Sequence, residues 1–322
     1  MRCIVKYVKV LSCALVVSLT FGGCAASGMS VADYEAGDYK KTEYQADGYA
    51  SSLCVATEDV KQSSVDLDSG LHAAGVFDVT SGSVVYSSNI HKKLYPASTT
   101  KILTALIALK YGNLSDTITI SKTATVFPAG ASLAHLRAGD QITLEELLYG
   151  LLLPSGNDAA VAIAEYISGS VEEFAKLMNQ EAYGLGATNS HFVNPHGLHE
   201  DNHYTTAYDL YLIFNECLKQ EQFVKMITEK SHTGQFKGKD GSARTETWKN
   251  TSLYMTGEAE KPTTVEYLGG KTGNTDEAKR CLLAYSKDEQ NHYYISVIMG
   301  ANGKPALYKN MNEMLNHAIQ KN

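Results

Sequence analysis

The sequence predicts an α+β fold in which an antiparallel sheet packs against a cluster of helices. A hairpin is predicted from His72 to Tyr86, around the turn Thr80-Ser81-Gly82. The middle of the chain carries helical patterns, and the C-terminal third returns to strands. Strands at both ends of a domain with helices between them are typical of the α+β class.

The individual elements follow from apolar periodicity and from start and stop signals. An apolar helix is predicted from Ser98 to Lys110, where Gly112 ends it. Thr143 and Glu146 have capping-box spacing, which predicts a helix to about Leu153. Residues 115–142 are predicted to be mixed and rich in strands. The other predicted helices are 158–167, 171–183, 206–218 and 305–320, and the other predicted strands are 265–269, 281–286 and 293–300.

The N-terminus is typical of an export signal. A basic start precedes an apolar run at 10–21, which is too short to span a bilayer as a stable helix. The small residues before Cys24 resemble the cleavage box of bacterial lipoproteins, in which the cysteine becomes the lipidated first residue. We therefore expect a lipoprotein signal peptide at 1–23 with lipidation at Cys24. The alternatives are ordinary cleavage nearby and retention of the segment as an anchor.

Residues 24–48 are polar and acidic without a hydrophobic period, so they predict a disordered tether. Such a coil spans about 25–30 Å on average. The folded domain is then predicted at 49–322. The formal net charge of -7 gives the protein no electrostatic reason to bind nucleic acid or an anionic membrane surface. The cysteines of the folded part, Cys54, Cys217 and Cys281, form no C-x-x-C pair and are predicted to be buried thiols.

The first candidate for chemistry is the pair Ser98 and Lys101, in Ser-Thr-Thr-Lys. Residues three apart at a helix start lie on one face, one turn apart. A lysine made neutral by burial or by a nearby cation can take the proton of a serine hydroxyl. The same spacing also arises by chance, and a serine in this place can be an ordinary N-cap.

Two further motifs follow in Ser155-Gly156-Asn157 and Lys271-Thr272-Gly273. Ser155 and Asn157 lie between two predicted helices and could project into one cleft, although both residue types also favour N-caps. On a strand, Lys271 and Gly273 face one way, and the glycine lets a ligand approach the backbone. The alternative for the last motif is a hairpin with a solvated lysine.

In combination the motifs have the order and spacing of S-x-x-K, S-x-N and K-T-G, the signature of penicillin-binding proteins and serine β-lactamases. Residues 70–320 resemble the D-alanyl-D-alanine carboxypeptidase family, the low-molecular-mass penicillin-binding proteins. The likeness extends to the segments 96–105, 148–160, 192–198 and 203–210. It implies a β-lactamase/transpeptidase-like fold and a serine enzyme that trims the terminal D-Ala from peptidoglycan stem peptides. It also implies covalent binding of β-lactams.

The resemblance implies catalytic roles as well. Ser98 would be the nucleophile and Lys101 its general base. Ser155 and Lys271 would pass a proton to the leaving amine. No metal or organic cofactor is implied.

The same resemblance implies a substrate-binding set. Asn157 would hold the substrate backbone, and Lys271 would belong to the binding set as well. The N–H groups of Ser98 and Asn274 would form an oxyanion hole beside Gly273. Thr272 and a nearby cation would hold the terminal carboxylate, and both Lys249 and Arg244 are candidates for that cation.

The sequence also departs from the family pattern. Lys279 and Arg280 stand where glycine and an aromatic residue are usual, which puts the packing of that strand in doubt. Many relatives carry a second β domain and an amphipathic C-terminal membrane helix. We expect neither here, and a lipid at Cys24 would replace that anchor.

Three other functions compete with this interpretation. A class A β-lactamase would prefer Asp at Gly156 and would need a Glu-x-x-Leu-Asn pattern near Phe192, where none occurs. A metallopeptidase is suggested by a histidine cluster whose spacing is not H-E-x-x-H. A non-catalytic sensor of β-lactams or peptidoglycan could share the fold. The clustered histidines are His191, His196, His199 and His203.

Overall fold

The computed structural model describes residues 53–319. The predicted signal peptide, Cys24 and the predicted tether lie outside the described residues. The strands are β1 (Ala73–Asp78), β2 (Ser83–Ser88), β3 (Thr117–Thr119), β4 (Gln141–Thr143), β5 (Ser231–Lys237), β6 (Ala243–Lys249), β7 (Glu266–Thr275), β8 (Lys279–Lys287) and β9 (Tyr293–Ala301). The helices are α1 (Lys101–Tyr111), α2 (Leu144–Leu152), α3 (Asn157–Ser168), α4 (Val171–Gly184), α5 (Ala207–Cys217), α6 (Glu221–Thr228), α7 (Leu253–Thr256) and α8 (Lys304–Ala318).

The main sheet has the strand order β2-β1-β9-β8-β7, and each neighbouring pair is antiparallel. A smaller antiparallel sheet has the order β3-β4-β5-β6. Helices cover one face of the main sheet, and α8 covers the other. The predicted α+β class, with an antiparallel sheet against a helical cluster, is therefore confirmed.

Side-chain alternation along the strands separates the two faces of the main sheet. Leu282 and Leu283 are neighbours on β8, yet Leu282 packs with the α8 core and Leu283 with the helical cluster. This is the expected result of a two-residue repeat in a sheet that is covered on both sides. Such a sheet brings β7, which carries Lys271-Thr272-Gly273, against the helical cluster.

Helix α1 lies at the centre of the helical cluster. Residues 101–108 are all buried, and the helix packs against α2, α3, α4 and α5. A helix that is apolar on every side is stable only inside a core. Lys101, at its first turn, is therefore taken into the core by the helix that carries it.

The helix boundaries follow the capping signals. The Thr143 hydroxyl accepts a hydrogen bond from the N–H of Glu146 at 3.2 Å, which confirms the predicted start of α2. Ser170 and Thr206 cap α4 and α5 in the same way. Each such cap typically contributes about 1 kcal/mol.

The three cysteines Cys54, Cys217 and Cys281 are buried free thiols, as predicted.

The predicted strand-rich region 115–142 is largely irregular. Strands β3 and β4 cover three residues each, and the connecting segment is fixed by side-chain contacts instead. The carboxylate of Asp158 accepts hydrogen bonds from the N–H groups of Ala134 and Leu136, at 2.7 and 3.0 Å. Asp158, on α3, therefore helps to hold this loop in place.

Within residues 53–319, no helix is both long enough and apolar enough to cross a membrane.

Candidate active site

The segment that carries Ser98 is a 3-10 turn, Ala97–Thr100, which runs directly into α1. Ala97 has a φ of 49°, in the left-handed region that a non-glycine residue rarely adopts. Strain of this kind costs about 1–3 kcal/mol and concentrates at functional sites. The side chain of Ser98 is not a helix cap. Its Oγ lies 3.0 Å from Nζ of Lys101.

The amine of Lys101 has three oxygen neighbours inside the protein. Nζ lies 2.8 Å from Oδ1 of Asn157 and 2.7 Å from the carbonyl oxygen of His196, in addition to Ser98. An amide oxygen and a carbonyl oxygen can only accept hydrogen bonds. A neutral amine therefore directs its two hydrogens to these acceptors, and its lone pair faces the Ser98 hydroxyl.

The surroundings of Lys101 favour this neutral form. Burial holds the pKa of Lys101 well below its ordinary value, and the charge of Lys271 lowers that pKa further. The carboxylate of Asp158 acts in the opposite direction. Removing a cation from water disfavours its charged form, and a second cation nearby has the same effect.

Ser155 lies in the break between α2 and α3, with a φ of 64°. Its Oγ accepts a hydrogen bond from Nζ of Lys271 at 2.9 Å. The N-cap of α3 is Gly156, so the side chains of Ser155 and Asn157 are not spent on capping. Lys271 is almost fully buried, which excludes the alternative of a solvated hairpin lysine. That burial lowers the pKa of Lys271 to about 7.

Strand β7 passes directly beside the Ser98 turn. A Cβ at Gly273 would lie 2.9 Å from the carbonyl oxygen of Pro96 and 3.2 Å from the backbone nitrogen of Ser98. A larger residue would push the strand away from the turn. The hydroxyl of Thr272 lies 2.5 Å from that of Thr251, which fixes its position at the edge of the cleft.

The predicted site residues therefore meet in one place. They border a cleft of about 690 Å³ between the helical cluster and the main sheet. Lys101 and Lys271 are buried beside this cleft, within hydrogen-bond distance of Ser98 and Ser155. The predicted residues that line the cleft are Ser98, Ser155, Asn157, Thr272, Gly273 and Asn274.

The structure separates the two cations considered for the carboxylate. Lys249 lines the cleft. Arg244 instead pairs with the buried carboxylate of Asp140 and lies over the ring of Phe236. Proximity along the chain could not distinguish the two, because both belong to β6 and only the fold shows which end of that strand reaches the cleft.

Sequence reasoning missed several cleft residues. Arg280 and Lys304 also line the cleft. Arg280 had a signal, because it departs from the family pattern. Asp158 was missed as the residue that holds the 131–136 wall of the cleft, although it directly follows Asn157 in the second motif.

The histidine cluster does not form a metal site in the described part of the chain. No group of three or more potential ligands with metal-binding geometry occurs in residues 53–319. Burial lowers the pKa values of His196 and His203 to about 3, so both rings are neutral at physiological pH. Each ring has a protein partner: Leu198 N–H donates to Nδ1 of His196, and Nε2 of His203 lies near the Thr100 hydroxyl.

Comparison with protein families gives a match over residues 59–303 to the serine peptidase family described as D-alanyl-D-alanine carboxypeptidase. The chain belongs to this family. The D-alanyl-D-alanine carboxypeptidase DacF of Bacillus subtilis is 38% identical over 273 residues, which are 82% of this chain and 66% of the relative. That of Streptomyces sp. strain K15 is 33% identical over 74% of this chain and 83% of its own length. The chain thus spans about two thirds of the Bacillus relative.

Among solved structures, the Streptomyces K15 DD-transpeptidase superposes with a TM-score of 0.72 at 31% identity. The alignment covers 79% of this chain and 99% of that structure. The family resemblance and the β-lactamase/transpeptidase-like fold expected from the three motifs are therefore confirmed.

The repulsion between the two buried lysines can be measured directly. Replacing Lys271 with Met removes a positive charge that lowers the pKa of Lys101, so we expect the pKa of Lys101 to rise while its burial still keeps it below the ordinary value. An NMR titration of lysine labelled with ¹³C at Cε would follow this change. Lys249→Met is the matched control, since it removes a positive charge from the cleft but leaves both buried lysines, Lys101 and Lys271, in place. An unchanged or lower Lys101 pKa in Lys271→Met would contradict the coupling.

Proposed function

We propose that this protein is a serine-type D-alanyl-D-alanine carboxypeptidase that removes the terminal D-Ala of peptidoglycan stem peptides through an acyl-enzyme on Ser98. Residues 49–322 would form its catalytic domain. The observation that carries the proposal is the environment of Lys101, whose two neutral-form hydrogens have fixed acceptors and whose lone pair faces Ser98. Family membership supports the same reaction.

In the acylation step, Lys101 takes the proton of Ser98 as Oγ attacks the carbonyl carbon between the two D-alanines. Negative charge then develops on the carbonyl oxygen. The N–H groups of Ser98 and Asn274 are the proposed donors to it, since β7 lies close beside the Ser98 turn at Gly273. Preorganised donors of this kind stabilise the developing charge without reorganisation during the reaction.

Expulsion of D-alanine requires a proton on its nitrogen. The Ser155 hydroxyl, which accepts a hydrogen bond from Lys271, is the proposed donor to the leaving amine. With a pKa of about 7, Lys271 can replace that proton near neutral pH. The C–N bond breaks as the ester on Ser98 forms, and free D-alanine leaves the cleft. Lys101 then loses to solvent the proton that it took from Ser98, and Lys271 takes a proton up from solvent. Water attacks the ester with the neutral Lys101 again as the base, and the proton taken from water returns to the Ser98 oxygen as the acid leaves.

The substrate is held at both ends of this arrangement. Asn157 is proposed to bind the peptide backbone through its amide nitrogen, since its oxygen is engaged by Lys101. Thr272 is proposed to bind the terminal carboxylate, with Lys249 as the accompanying cation. Lys249 precedes Thr251 by two residues, and the Thr251 hydroxyl contacts that of Thr272.

A β-lactam should react with the same serine, because its strained amide presents an equivalent carbonyl. Its leaving nitrogen stays tethered by the opened ring and occupies the space that departing D-alanine vacates. We therefore propose that a penicillin adduct on Ser98 is hydrolysed much more slowly than the peptide acyl-enzyme.

Both reactions can be followed with one set of proteins. The wild-type domain should release D-alanine from a D-Ala-D-Ala peptide and should keep penicillin mass on Ser98 in intact-mass spectra. Ser98→Ala should lose both activities. Lys101→Ala should acylate about 100- to 10,000-fold more slowly, which is the typical cost of losing a general base. Treatment with EDTA should leave turnover unchanged.

Each competing function has a distinct outcome in this experiment. Rapid loss of the penicillin mass with formation of the ring-opened product would show a β-lactamase. A stable adduct without D-alanine release would show a sensor. Loss of turnover on EDTA treatment, restored by zinc, would favour the histidine-based metallopeptidase.

The role of Lys249 predicts a specific loss of affinity. Lys249→Met should raise KM for a peptide with a free terminal carboxylate about ten- to hundredfold, the range expected for a hydrogen bond to a charged group. The same peptide with a C-terminal amide should be affected much less. Lys237→Met, which removes an exposed lysine of β5 outside the cleft lining, is the control. Equal effects of Lys249→Met on the acid and the amide would contradict this assignment.

We further propose that the protein is exported and held by a lipid on Cys24 at the outer face of the bacterial cytoplasmic membrane. The proposal rests on the basic start, the short apolar run and the small residues before Cys24. The polar segment 24–48 would give the domain a reach of about 25–30 Å from the surface. It would thus act on the peptidoglycan that lies close to the membrane.

The anchor predicts a modified N-terminus. Mass analysis of the mature protein should show a diacylglyceryl-modified Cys24, and globomycin should cause the precursor to accumulate. Cys24→Ser should release the domain from membranes while the catalytic activity of the purified protein stays unchanged. An unmodified N-terminus downstream of Cys24 would contradict lipidation and leave the enzymatic proposal intact.

A further inference from the structure

A buried chain of hydrogen bonds lies behind the Ser98 turn and takes no part in the steps described above. The Thr100 hydroxyl lies 2.8 Å from the carbonyl oxygen of Ala97 and 2.9 Å from Nε2 of His203. On the other side of the ring, the N–H of Val193 points at Nδ1 of His203 at 3.2 Å. Thr100 and His203 are both almost fully inaccessible to solvent.

These contacts permit one arrangement of protons. The carbonyl oxygen of Ala97 can only accept, so the Thr100 hydroxyl must donate its single hydrogen to it. The hydroxyl oxygen can then accept from His203, which places the ring proton on Nε2. Nδ1 is left as the acceptor for Val193 N–H. A doubly protonated ring would lose that acceptor, and the burial-lowered pKa of His203, about 3, agrees with a neutral ring.

The two ends of this chain belong to the two segments that hold the reacting pair. Ala97 is the left-handed residue immediately before Ser98. Val193 begins the 193–197 loop, in which the carbonyl oxygen of His196 holds Nζ of Lys101 at 2.7 Å. His203 therefore ties the turn that aims Ser98 to the loop that aims Lys101.

The neighbourhood leaves this tie little freedom. A Cβ at Gly197, in the same loop, would lie 1.9 Å from the carbonyl oxygen of Ala97, so loop and turn are in direct contact. The ring of Phe192 packs edge-on against His203, at 5.5 Å between centroids. A shift of the His203 ring would move both segments.

We propose that His203 is a positioning residue that acts through Thr100 and fixes the distance between the Ser98 hydroxyl and the Lys101 amine. His203 touches neither group. It acts as a fixed donor and acceptor, not as an acid or a base. The inference rests on the proposed function only in that Ser98 is taken as the reacting group.

The first test compares isosteric variants by their rate of acylation with penicillin. Thr100→Val keeps the shape of the side chain but cannot hydrogen-bond, whereas Thr100→Ser keeps the hydroxyl. We expect Thr100→Val and His203→Ala each to slow acylation about ten- to a hundredfold, the scale of a misplacement of about 1 Å. Thr100→Ser should retain most of the rate, and the double variant should be little slower than either single variant.

A matched control separates positioning from loss of stability. Thr206→Val removes another buried threonine hydroxyl, which accepts a hydrogen bond from the N–H of Asp209 at the N-terminus of α5 and is not hydrogen-bonded to the Ser98 turn in the described residues. It should lower Tm, because the helix cap is lost, without slowing acylation of the folded protein. Equal slowing in both variants, or no slowing in Thr100→Val, would overturn the proposal.

The second test does not depend on catalysis. In ¹⁵N-labelled wild-type protein, long-range ¹H–¹⁵N spectra should show His203 protonated on Nε2 alone from pH 5 to 9. A ring protonated on Nδ1, or one that titrates in this range, would overturn the proposal whatever the acylation data show. Absence of acylation in the wild type would instead contradict the proposed function, and the NMR result would still decide the role of His203.

Discussion

The burial of the Lys101 amine is the constraint on which the rest of the site depends. An uncompensated ammonium ion in a protein core is costly, and the usual response is a lowered pKa. Helix α1 forces this burial, because every residue from Lys101 to Ala108 lies inside the helical cluster. Asn157 and the His196 carbonyl satisfy the two hydrogens of the neutral amine, and the remaining direction faces Ser98. Burial and the nearby charge of Lys271 thus favour the neutral form of this lysine, which is the form that can accept a proton.

Backbone conformation aims the groups that surround this amine. Ala97 and Ser155 both adopt left-handed φ values, one before the serine of the first motif and one at the serine of the second. Such conformations persist only where the surrounding structure determines them. Gly197 and Gly273 allow the 193–197 loop and β7 to approach the Ser98 turn closely, since a side chain at either position would collide with Ala97 or Pro96. The left-handed backbone at Ala97 and the two glycines thus serve the same close packing around Ser98.

The two sheets contribute in different ways. The main sheet places Lys271, on β7, in the core beside Ser155. Both faces of this sheet are covered, so the side of β7 that faces the helical cluster is buried. The smaller sheet ends near the cleft and contributes Lys249 there, while Arg244 at the other end of β6 pairs with Asp140. Position along a single strand thus decides which cation faces the cleft and which stabilises the fold.

The sequence by itself determined the α+β class, most helix boundaries and the three motifs. Capping residues such as Thr143 and the apolar run after Lys101 are local signals, and local signals are readable without a fold. The sequence did not determine the path of residues 120–140, because this segment is held by scattered contacts with distant residues instead of a regular strand ladder. The N–H groups of Ala134 and Leu136, for example, donate to the carboxylate of Asp158. Nor could it show that the side chains of Ser155 and Asn157 do not cap a helix, or that His203 links two segments of the site. Those facts depend on contacts between residues that are distant in sequence, and only tertiary packing brings such residues together. The same packing also produces the burial that lowers the pKa of Lys101.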